Sequence, residues 1–263
     1  MLLAFFILFI NGCSVTPNEP AGDNNNPGDP LGKEWALHPE IKTTAKILLN
    51  SAVSQDELVL VGAAITSRVN SENKVSFSVV NPQTLGINYR PAVSNKLIVL
   101  PSENHNSVLV RLSSYFEIPG SELSLNLKSF NAAYNYLPQN GFASINNRNQ
   151  VLVNVVTNDS NYKEELLLLS FTEDVNPGQA PVLFASRNIS LSDESGASPV
   201  VKVIDAIGDN FFISLNNSAY KIDADGNAKK IINERITHFF RFNNVLYAFG
   251  ISSTVYRSLD VGE

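Results

Sequence analysis

The feature that most constrains this chain is a series of short apolar runs, each separated from the next by residues that favour turns. The runs are rich in β-branched and aromatic residues, and several alternate apolar with polar positions, as half-buried strands do. Asn, Asp, Gly, Pro and Ser fill the intervals. The pattern predicts an all-β protein. The clear runs span residues 57–65, 74–80, 96–100, 106–112, 123–130, 150–157, 165–171, 210–215 and 244–250.

One segment leaves helix and strand equally open. In "HPEIKTTAKILL", residues 38–49, several apolar side chains have helical spacing, and Pro39 would suit a first helical turn. Alternate residues from Ile41 to Ile47 would equally line one face of a strand. The sequence does not decide between the two structures.

The strand pairs recur along the chain, each followed by a turn that carries Gly. In the two copies most alike, Asp209-Asn210 lies 34 residues before Asn243-Asn244, and Tyr220 lies 36 before Tyr256. A small antiparallel sheet cannot bury both faces alone, and packing several around an axis covers them. Units of about 40–45 residues would fit roughly five times into residues 35–263. The repeat therefore predicts a β-propeller of roughly five four-stranded blades. A β-sandwich or an irregular β-solenoid is the alternative.

The composition allows a core and disfavours several kinds of partner and site. Hydrophobic residues are 44% of the 263 residues, and the formal net charge is -6. A nucleic-acid partner is not expected, because it needs a basic surface that displaces counterions. The only cysteine, Cys13, allows no intrachain disulfide and no Cys-based metal site. Without a P-loop or a dinucleotide fingerprint, we expect no cofactor.

The first residues predict that the protein is attached to a membrane. Residues 2–10 form nine consecutive apolar positions, too few for a bilayer-spanning helix of about 20 residues but suited to a signal peptide. Ile10-Asn11-Gly12-Cys13 resembles the lipobox of bacterial lipoproteins. The resemblance implies a signal peptide over 1–12, a diacylglyceryl group on the Cys13 thiol and an acylated amine. Several acyl chains make a stable anchor. A buried N-terminal strand is the alternative.

The segment 13–34 is expected to be a flexible linker after the lipidated cysteine. It holds four prolines, three glycines and an Asn triplet, a composition that forms no core. The propeller domain is expected over 35–263. Ser14 follows Cys13, where an Asp in bacterial lipoproteins would indicate retention at the inner membrane, so the resemblance favours the outer membrane of the cell envelope.

The end of the sequence carries a second motif. Ser258-x-Asp260-x-Gly262 resembles the opening of the Asp-box, S-x-D-x-G-x-x-W, of BNR-type propellers. In that turn Ser and Asp cap backbone amides, and Gly supplies a positive φ. The resemblance implies a structural role for the three residues. The motif's Trp would fall two residues beyond Glu263, so we expect an incomplete last blade, in a chain that is the front portion of a longer propeller.

The corresponding turn of the preceding unit is "KIDADGNA", residues 221–228. Asp223-x-Asp225-Gly226 could suggest calcium, but a calcium loop needs more oxygen ligands and a late Glu. A turn between two strands is the interpretation that this spacing favours.

Sialidases carry Asp-boxes, so the sialidase pattern bears on the function of this chain. It needs three arginines on one carboxylate, a Tyr nucleophile paired with Glu, and an Arg-Ile-Pro motif. Tyr89-Arg90-Pro91 lacks the Ile. There is no G-x-S-x-G elbow, and His38, His105 and His238 have no partner at metal-binding spacing. We predict no catalytic residue and no metal ligand. His238 is expected on a strand beside aromatic residues.

A cluster of aromatic residues could bind a ligand. It comprises Phe239, Phe240, Phe242, Tyr247 and Phe249. Exposed rings would suit stacking against sugars, whereas buried rings would pack one blade on the next.

The sequence thus predicts a lipid-anchored propeller of the bacterial cell envelope that acts as a non-catalytic binding or scaffold module for glycan or protein. The alternative is a sialidase-like glycoside hydrolase whose catalytic residues lie mostly in blades beyond Glu263.

Overall fold

The computed structural model describes part of the chain, which divides into two compact units, Met1–His38 and Pro39–Glu263. All described residues belong to the second unit. They are 48–53, 57–62, 65–72, 74–79, 92–94, 96–101, 106–112, 122–136, 143–157, 163–172, 179–191 and 200–259. The predicted signal peptide and linker with Cys13 lie outside them, as do His38, His105, Tyr89-Arg90-Pro91, Asp260 and Gly262.

The described strands form five consecutive sheets, here named A to E. Sheet A contains β1 Leu48–Val53, β2 Glu57–Gly62, β3 Ile65–Asn70 and β4 Val75–Val79. Sheet B contains β5 Ala92–Val93, β6 Leu97–Pro101, β7 Ser107–Leu112 and β8 Glu122–Asn126. Sheet C contains β9 Tyr134–Tyr136, β10 Ala143–Ile145, β11 Gln150–Thr157, β12 Glu164–Phe171 and β13 Leu183–Ile189.

The last two sheets are the most completely described. Sheet D contains β14 Val203–Ile207, β15 Asn210–Ser214, β16 Ala219–Ile222 and β17 Ala228–Ile232. Sheet E contains β18 Ile236–Phe242, β19 Val245–Gly250 and β20 Val255–Ser258.

Each sheet is an antiparallel meander in chain order. Sheets A, B and D have four strands, and sheet E has three among the described residues. In sheet C, β9 and β10 pair with successive parts of the same edge of β11, so together they act as one interrupted first strand. The predicted sheet size of four strands is therefore confirmed for three sheets.

Tight turns connect the first two strands of sheets D and E. Gly208 and Asp209 join β14 to β15, and Gly208 has φ +64°. Asn243 and Asn244 join β18 to β19 with φ values of 47° and 61°. Positive φ at both central residues fits a type I′ hairpin turn, which Asn tolerates. The two turns occupy equivalent places, as the repeat predicted.

Neighbouring sheets pack face to face through apolar side chains. Val151 and Val153 of β11 pack with residues of sheet B, whereas Leu152 on the opposite face packs with sheet D. A further cluster joins sheets D and E. The first strands of successive sheets also contact one another in order, from β1 through β5, β10 and β14 to β18. Consecutive meander sheets packed in this way are the blades of a β-propeller.

Burial on both faces explains why β11 and β12 are nearly continuous apolar runs. Every residue of β11 is buried, including Asn154. The sandwich alternative is not what the structure shows, because a sandwich has two facing sheets, whereas the described strands form five sheets in series. The solenoid alternative is not shown either, because each described sheet is a separate antiparallel meander.

Two sequence predictions need correction. The run 123–130 was expected to be one strand, but β8 ends at Asn126 and a 3-10 turn covers Leu127–Ser129. The Asn126 side chain accepts a 3.0 Å hydrogen bond from the Lys128 amide, which starts the turn. The run 57–65 is also divided, since β2 ends at Gly62 and β3 begins at Ile65.

The ambiguous segment 38–49 is strand where it is described, because Leu48 begins β1. In the described part of the chain, no helix has the length and apolar character needed to cross a bilayer.

Candidate functional site

One face of sheet E carries a row of aromatic side chains. Because β18 and β19 alternate, Phe239 points toward sheet D and is only 3% exposed, while its neighbours point to the opposite face. The register places Phe240 opposite Tyr247 and His238 opposite Phe249. We call these four residues, with Phe242 on the same face, the aromatic face.

The rings of the aromatic face lie nearly parallel. The Phe240 ring is centred 5.2 Å from that of Tyr247 and 5.4 Å from that of Phe249, with interplanar angles of 17° and 11°. The His238 ring follows at 6.2 Å from Phe240, inclined by 13°. Parallel offset rings stabilise one another beyond the area they bury, so the row is a preorganised surface.

Much of this surface is open to solvent. Phe242 is 59% exposed, and the His238 side chain is 64% exposed. At the hairpin turn between β18 and β19, Arg241 Nη2 donates to Asn244 Oδ1 at 2.6 Å. Arg257 lies directly opposite Tyr247 on the neighbouring strand. The aromatic face thus combines flat apolar rings with polar and cationic neighbours. The prediction that His238 lies on a strand beside aromatic residues is confirmed.

A groove lies on the other side of sheet E, where it meets sheet D. A cavity of about 370 Å³ is bounded by Phe212, Ile232, Phe239 and Tyr256. An adjoining cavity of about 660 Å³ continues past Asp209 and Asp223. The two cavities share Lys221, Lys229, Ile231 and Ser258. We call this combined space the D–E groove.

The turn that was considered for calcium is built by hydrogen bonds. The Asp223 carboxylate accepts from the Asn227 amide at 2.7 Å and from its side chain at 3.0 Å, and Gly226 has φ +80°. Burial alone would raise the pKa of Asp223, but the bonds from Asn227 and Asp225 outweigh it and lower the pKa. The strand-turn interpretation is confirmed. Within the described ranges, no group of three or more acidic, His or Cys side chains is placed to hold a metal.

The same turn docks on sheet C through buried polar groups. Gln150 Nε2 donates to the Ala224 carbonyl at 2.8 Å and to Ser170 Oγ at 3.1 Å, while Asn146 donates to Gln150 Oε1 at 2.8 Å. Arg187 also donates to the Asp225 carbonyl. These bonds position sheet D on sheet C rather than a ligand.

Two Tyr–Glu pairs, which the sequence analysis missed, bear on the hydrolase alternative. Tyr134 donates to Glu165 Oε2 at 2.5 Å and accepts from Asn188 at 2.6 Å. Burial, followed by the bond to Glu165, raises the pKa of Tyr134 to about 12. A fully buried hydroxyl with a raised pKa is unsuited to attack a substrate. The pair therefore stabilises sheet C by connecting β9 to β12.

The second pair, Tyr256 and Glu234, is also held in place by hydrogen bonds within the fold. Glu234 Oε1 accepts from the Ser252 amide at 2.9 Å, and Oε2 accepts from the Tyr256 hydroxyl at 2.7 Å. The bond to Glu234 raises the pKa of Tyr256. Partners 22 and 31 residues apart in sequence give no local motif, which is why the sequence did not indicate them.

Of the predicted structural turn at the end of the sequence, the structure describes Ser258. It ends β20, is half-buried and lines the D–E groove. The Asp-box assignment of Ser258, Asp260 and Gly262 remains a prediction.

Comparison with known proteins gives structural similarity alone. No protein-family model and no curated protein matches the chain. An inactive variant of virginiamycin B lyase from Staphylococcus aureus with quinupristin is 12% identical, over 84% of this chain and 72% of its own, with a TM-score of 0.45. A streptogramin B lyase is 10% identical over 80% and 82%, with a TM-score of 0.35. Human WBSCR16 is 8% identical over 80% and 61%, with a TM-score of 0.46.

Proposed function

We propose that this chain is a glycan-binding β-propeller of the bacterial cell envelope, held at the membrane by acyl chains on Cys13. Binding uses the aromatic face of sheet E, and the protein performs no reaction on the bound glycan. The observation that carries this proposal is the row of parallel rings formed by Phe240, Tyr247, Phe249 and His238.

The geometry of the aromatic face fits the chemistry of sugars. A pyranose ring has a flat side of C–H groups, which packs on an aromatic ring, and a rim of hydroxyls, which needs hydrogen-bond partners. The stacked rings, centred 5.2 and 5.4 Å apart, form an apolar row beside which Phe242 and His238 are exposed. Arg257, opposite Tyr247 on β20, borders the strip and supplies hydrogen-bond donors.

Exposure distinguishes this face from the packed faces of the other described sheets. Clusters of buried side chains join sheet B to C, C to D, and D to E. On the aromatic face, by contrast, Phe242 and Val255 are 59% and 55% exposed. Among the described residues no other sheet covers this face, and its exposed rings are the surface on which we propose that a glycan binds.

The proposed location at the membrane rests on residues 10–13, whose pattern resembles a lipobox. A lipid on Cys13 and a linker over 13–34 would hold the propeller away from the bilayer while keeping it at the membrane, which we propose to be the outer membrane. This arrangement suits a protein that captures a glycan at the envelope.

The glycan proposal is tested on a glycan array and by calorimetry with the full chain. Phe242→Ala is expected to lower affinity for the selected glycan at least about tenfold, because hot-spot aromatics contribute most of the binding energy. The matched control is Phe184→Ala, since Phe184 is 66% exposed on β13 of sheet C. Equal losses in both variants, or no glycan bound by the wild type, would reject the proposal.

The anchor is tested separately by metabolic labelling with an alkyne fatty acid. We expect label in the wild type and none in Cys13→Ala, and we expect fractionation with outer membranes only for the labelled protein. A wild type as unlabelled as the variant would reject lipidation without affecting the glycan proposal.

A further inference from the structure

Another cavity lies between sheets C and D, apart from the aromatic face. Its volume is about 410 Å³, which falls within the range of about 300–1,000 Å³ that is usual for small-molecule sites. Strands β12 and β13 of sheet C line one side, and Ala224 and Asp225, in the turn between β16 and β17, line the other. We call this space the C–D cavity. Its lining residues named below all lie in sheets C and D and in their turns, within the described ranges.

Two buried polar side chains fix the shape of the C–D cavity. Gln150 and Ser170 line it and are 9% and 7% exposed. Gln150 Nε2 donates to Ser170 Oγ at 3.1 Å within sheet C and to the Ala224 carbonyl at 2.8 Å on the opposite side. Because this second bond crosses from sheet C to sheet D, it sets the spacing of the two sides. The cavity is therefore preformed, as ligand sites usually are.

One side of the C–D cavity offers unused hydrogen-bond donors. Arg187 lies opposite Leu168 in the register of β13 and β12, and Leu168 packs toward sheet D. Cross-strand partners share a face of the sheet, so Arg187 also faces sheet D, where its Nη1 donates to the Asp225 carbonyl. A guanidinium has several N–H donors. No other acceptor among the described residues bonds to Arg187, which leaves donors that suit a carboxylate.

The other side of the C–D cavity offers an unused carboxylate. Asp225 is exposed, its carbonyl accepts from Arg187, and its carboxylate forms no hydrogen bond or ion pair with any residue that the structure describes. The guanidinium of Arg187 and the carboxylate of Asp225 thus line one cavity without forming an ion pair with each other. A ligand that carries both a carboxylate and an ammonium group satisfies both side chains at once.

The remaining charges near the C–D cavity are already balanced. Arg148, which also lines the cavity, pairs with Asp209 at 2.7 Å. Asp223 accepts two hydrogen bonds from Asn227 and interacts at longer range with Arg187. The lining therefore has no large excess of either charge, and it favours a zwitterion over a simple anion or cation.

We propose that the C–D cavity binds a small zwitterion of the α-amino acid type with an apolar side chain. Its carboxylate accepts from Arg187, and its ammonium group donates to the Asp225 carboxylate. The apolar side chain contacts Leu168 and Ala185, which line the cavity. A ligand that lacks either charge leaves one protein group without a partner, so selection rests on both ends of the ligand. This site is distinct from the aromatic face and does not depend on the proposed glycan binding.

The probes are L-leucine and L-phenylalanine, measured by isothermal titration calorimetry with the full chain. For each amino acid that binds, two analogues each remove one charge: the amino acid amide lacks the carboxylate, and the deaminated acid lacks the ammonium group. Each analogue is expected to bind at least about tenfold more weakly, because a charge-assisted hydrogen bond is lost. Binding of neither amino acid at millimolar concentration, or equal binding of an analogue, would overturn the proposal.

A variant at Asp225 distinguishes a zwitterion site from an anion site. Asp225→Ala is expected to bind the amino acid at least about tenfold more weakly and to bind the deaminated acid more tightly, because the repulsion between two carboxylates is removed. Since Asp225 is exposed and its carboxylate has no partner among the described residues, the variant is expected to fold as the wild type does. Unchanged or higher affinity for the amino acid would overturn the proposal.

Variants at Arg187 test the opposite end of the ligand. Arg187→Gln is expected to lose at least about tenfold in affinity for the amino acid, and Arg187→Lys less, since Lys keeps the charge without the planar guanidinium. Because Arg187 also bonds to the Asp225 carbonyl, circular dichroism verifies that both variants are folded. Phe242→Ala, on the aromatic face, is the control and is expected to bind the amino acid as the wild type does. A folded Arg187→Gln variant with unchanged affinity would overturn the proposal.

Discussion

The hydroxyl of Tyr256 donates a 2.7 Å hydrogen bond to Oε2 of Glu234. Glu234 lies in the connection from sheet D to sheet E, and Tyr256 lies on β20. The bond therefore fixes the last described strand to the segment that introduces its sheet. The Ser252 amide donates to the other carboxylate oxygen at 2.9 Å, so one side chain holds both β20 and the turn that precedes it.

This carboxylate predicts a stability change in acid. Hydrogen bonds from Ser252 and Tyr256 lower the pKa of Glu234. A carboxyl with a lowered folded-state pKa stabilises the fold above its unfolded pKa, and this stabilisation disappears as the pH falls through the folded value. Between about pH 5 and pH 3, the Tm of the wild type is expected to fall further than that of Glu234→Gln in calorimetry. Parallel curves would contradict this role.

Tyr134 predicts the opposite behaviour in alkali. Its pKa is raised to about 12, so the neutral form stabilises the fold below about pH 10, and the effect is lost as the pH rises toward 12. Ultraviolet titration of the phenolate should show one fewer late-ionising tyrosine in Tyr134→Phe. The variant should also lose less stability than the wild type across this interval. An unchanged late phase would show that Tyr134 ionises normally.

Two glycines with positive φ form a matched pair. Gly208 has φ +64° and open space around it, whereas a Cβ on Gly226 would lie 3.1 Å from Arg187 Cδ and 3.4 Å from Leu168 Cδ2. Gly208→Ala is expected to cost about 1–2 kcal/mol from backbone strain alone. Gly226→Ala should cost more in urea unfolding, because it also disturbs the contact with sheet C. Equal losses of stability in the two variants would mean that Arg187 and Leu168 move aside without a free-energy cost.

Gln150 connects sheets C and D from a buried position, only 9% exposed. Gln150→Leu removes the donor to Ser170 and the Ala224 carbonyl and one of the two acceptors of Asn146 Nδ2, which keeps its bond to the Asp209 carbonyl. The expected loss is about 1–3 kcal/mol in urea unfolding. Gln179→Leu, at an exposed position, should stay within about 0.5 kcal/mol of the wild type. A Gln150 variant as stable as this control would show that the network contributes little.

Phe239 and Phe242 test the assignment of the two faces of β18. Phe239 is 3% exposed and packs toward sheet D, whereas Phe242 is 59% exposed. Phe239→Ala is expected to cost about 3–5 kcal/mol, and Phe242→Ala about 0.5 kcal/mol or less. Thermal unfolding of the two variants distinguishes these costs, and a reversed order would mean that the faces are exchanged.

Much of the fold follows from local pattern. Strands β11 and β12 were evident from "QVLVNVVT" and "ELLLLSF", because burial on both faces leaves a continuous apolar run. Outer strands such as β13 and β17, "LFASRNI" and "AKKII", have mixed composition and mostly exposed residues. No local signal separates them from loops, since their pairing with a neighbouring strand is what makes them strands.

The sequence likewise indicated one of the two candidate sites and not the other. The sequence indicated the aromatic cluster around Phe240, but it could not tell an exposed platform from packing between blades. Alternation in β18 places Phe239 in the core between sheets D and E and Phe240 on the opposite face, which no other described sheet covers. The D–E groove gave no sequence signal, because Lys221, Phe239 and Tyr256 meet only when two sheets pack.

The sequence by itself determined that the chain is all-β, that it repeats, and that residues 221–228 form a turn between two strands, because periodicity and turn chemistry act over a few neighbouring residues. Only the tertiary structure decided which face of each strand is covered and which distant polar groups meet, such as Glu234 with Tyr256. Those choices depend on sheet packing, where the free energy comes from surfaces that are far apart along the chain.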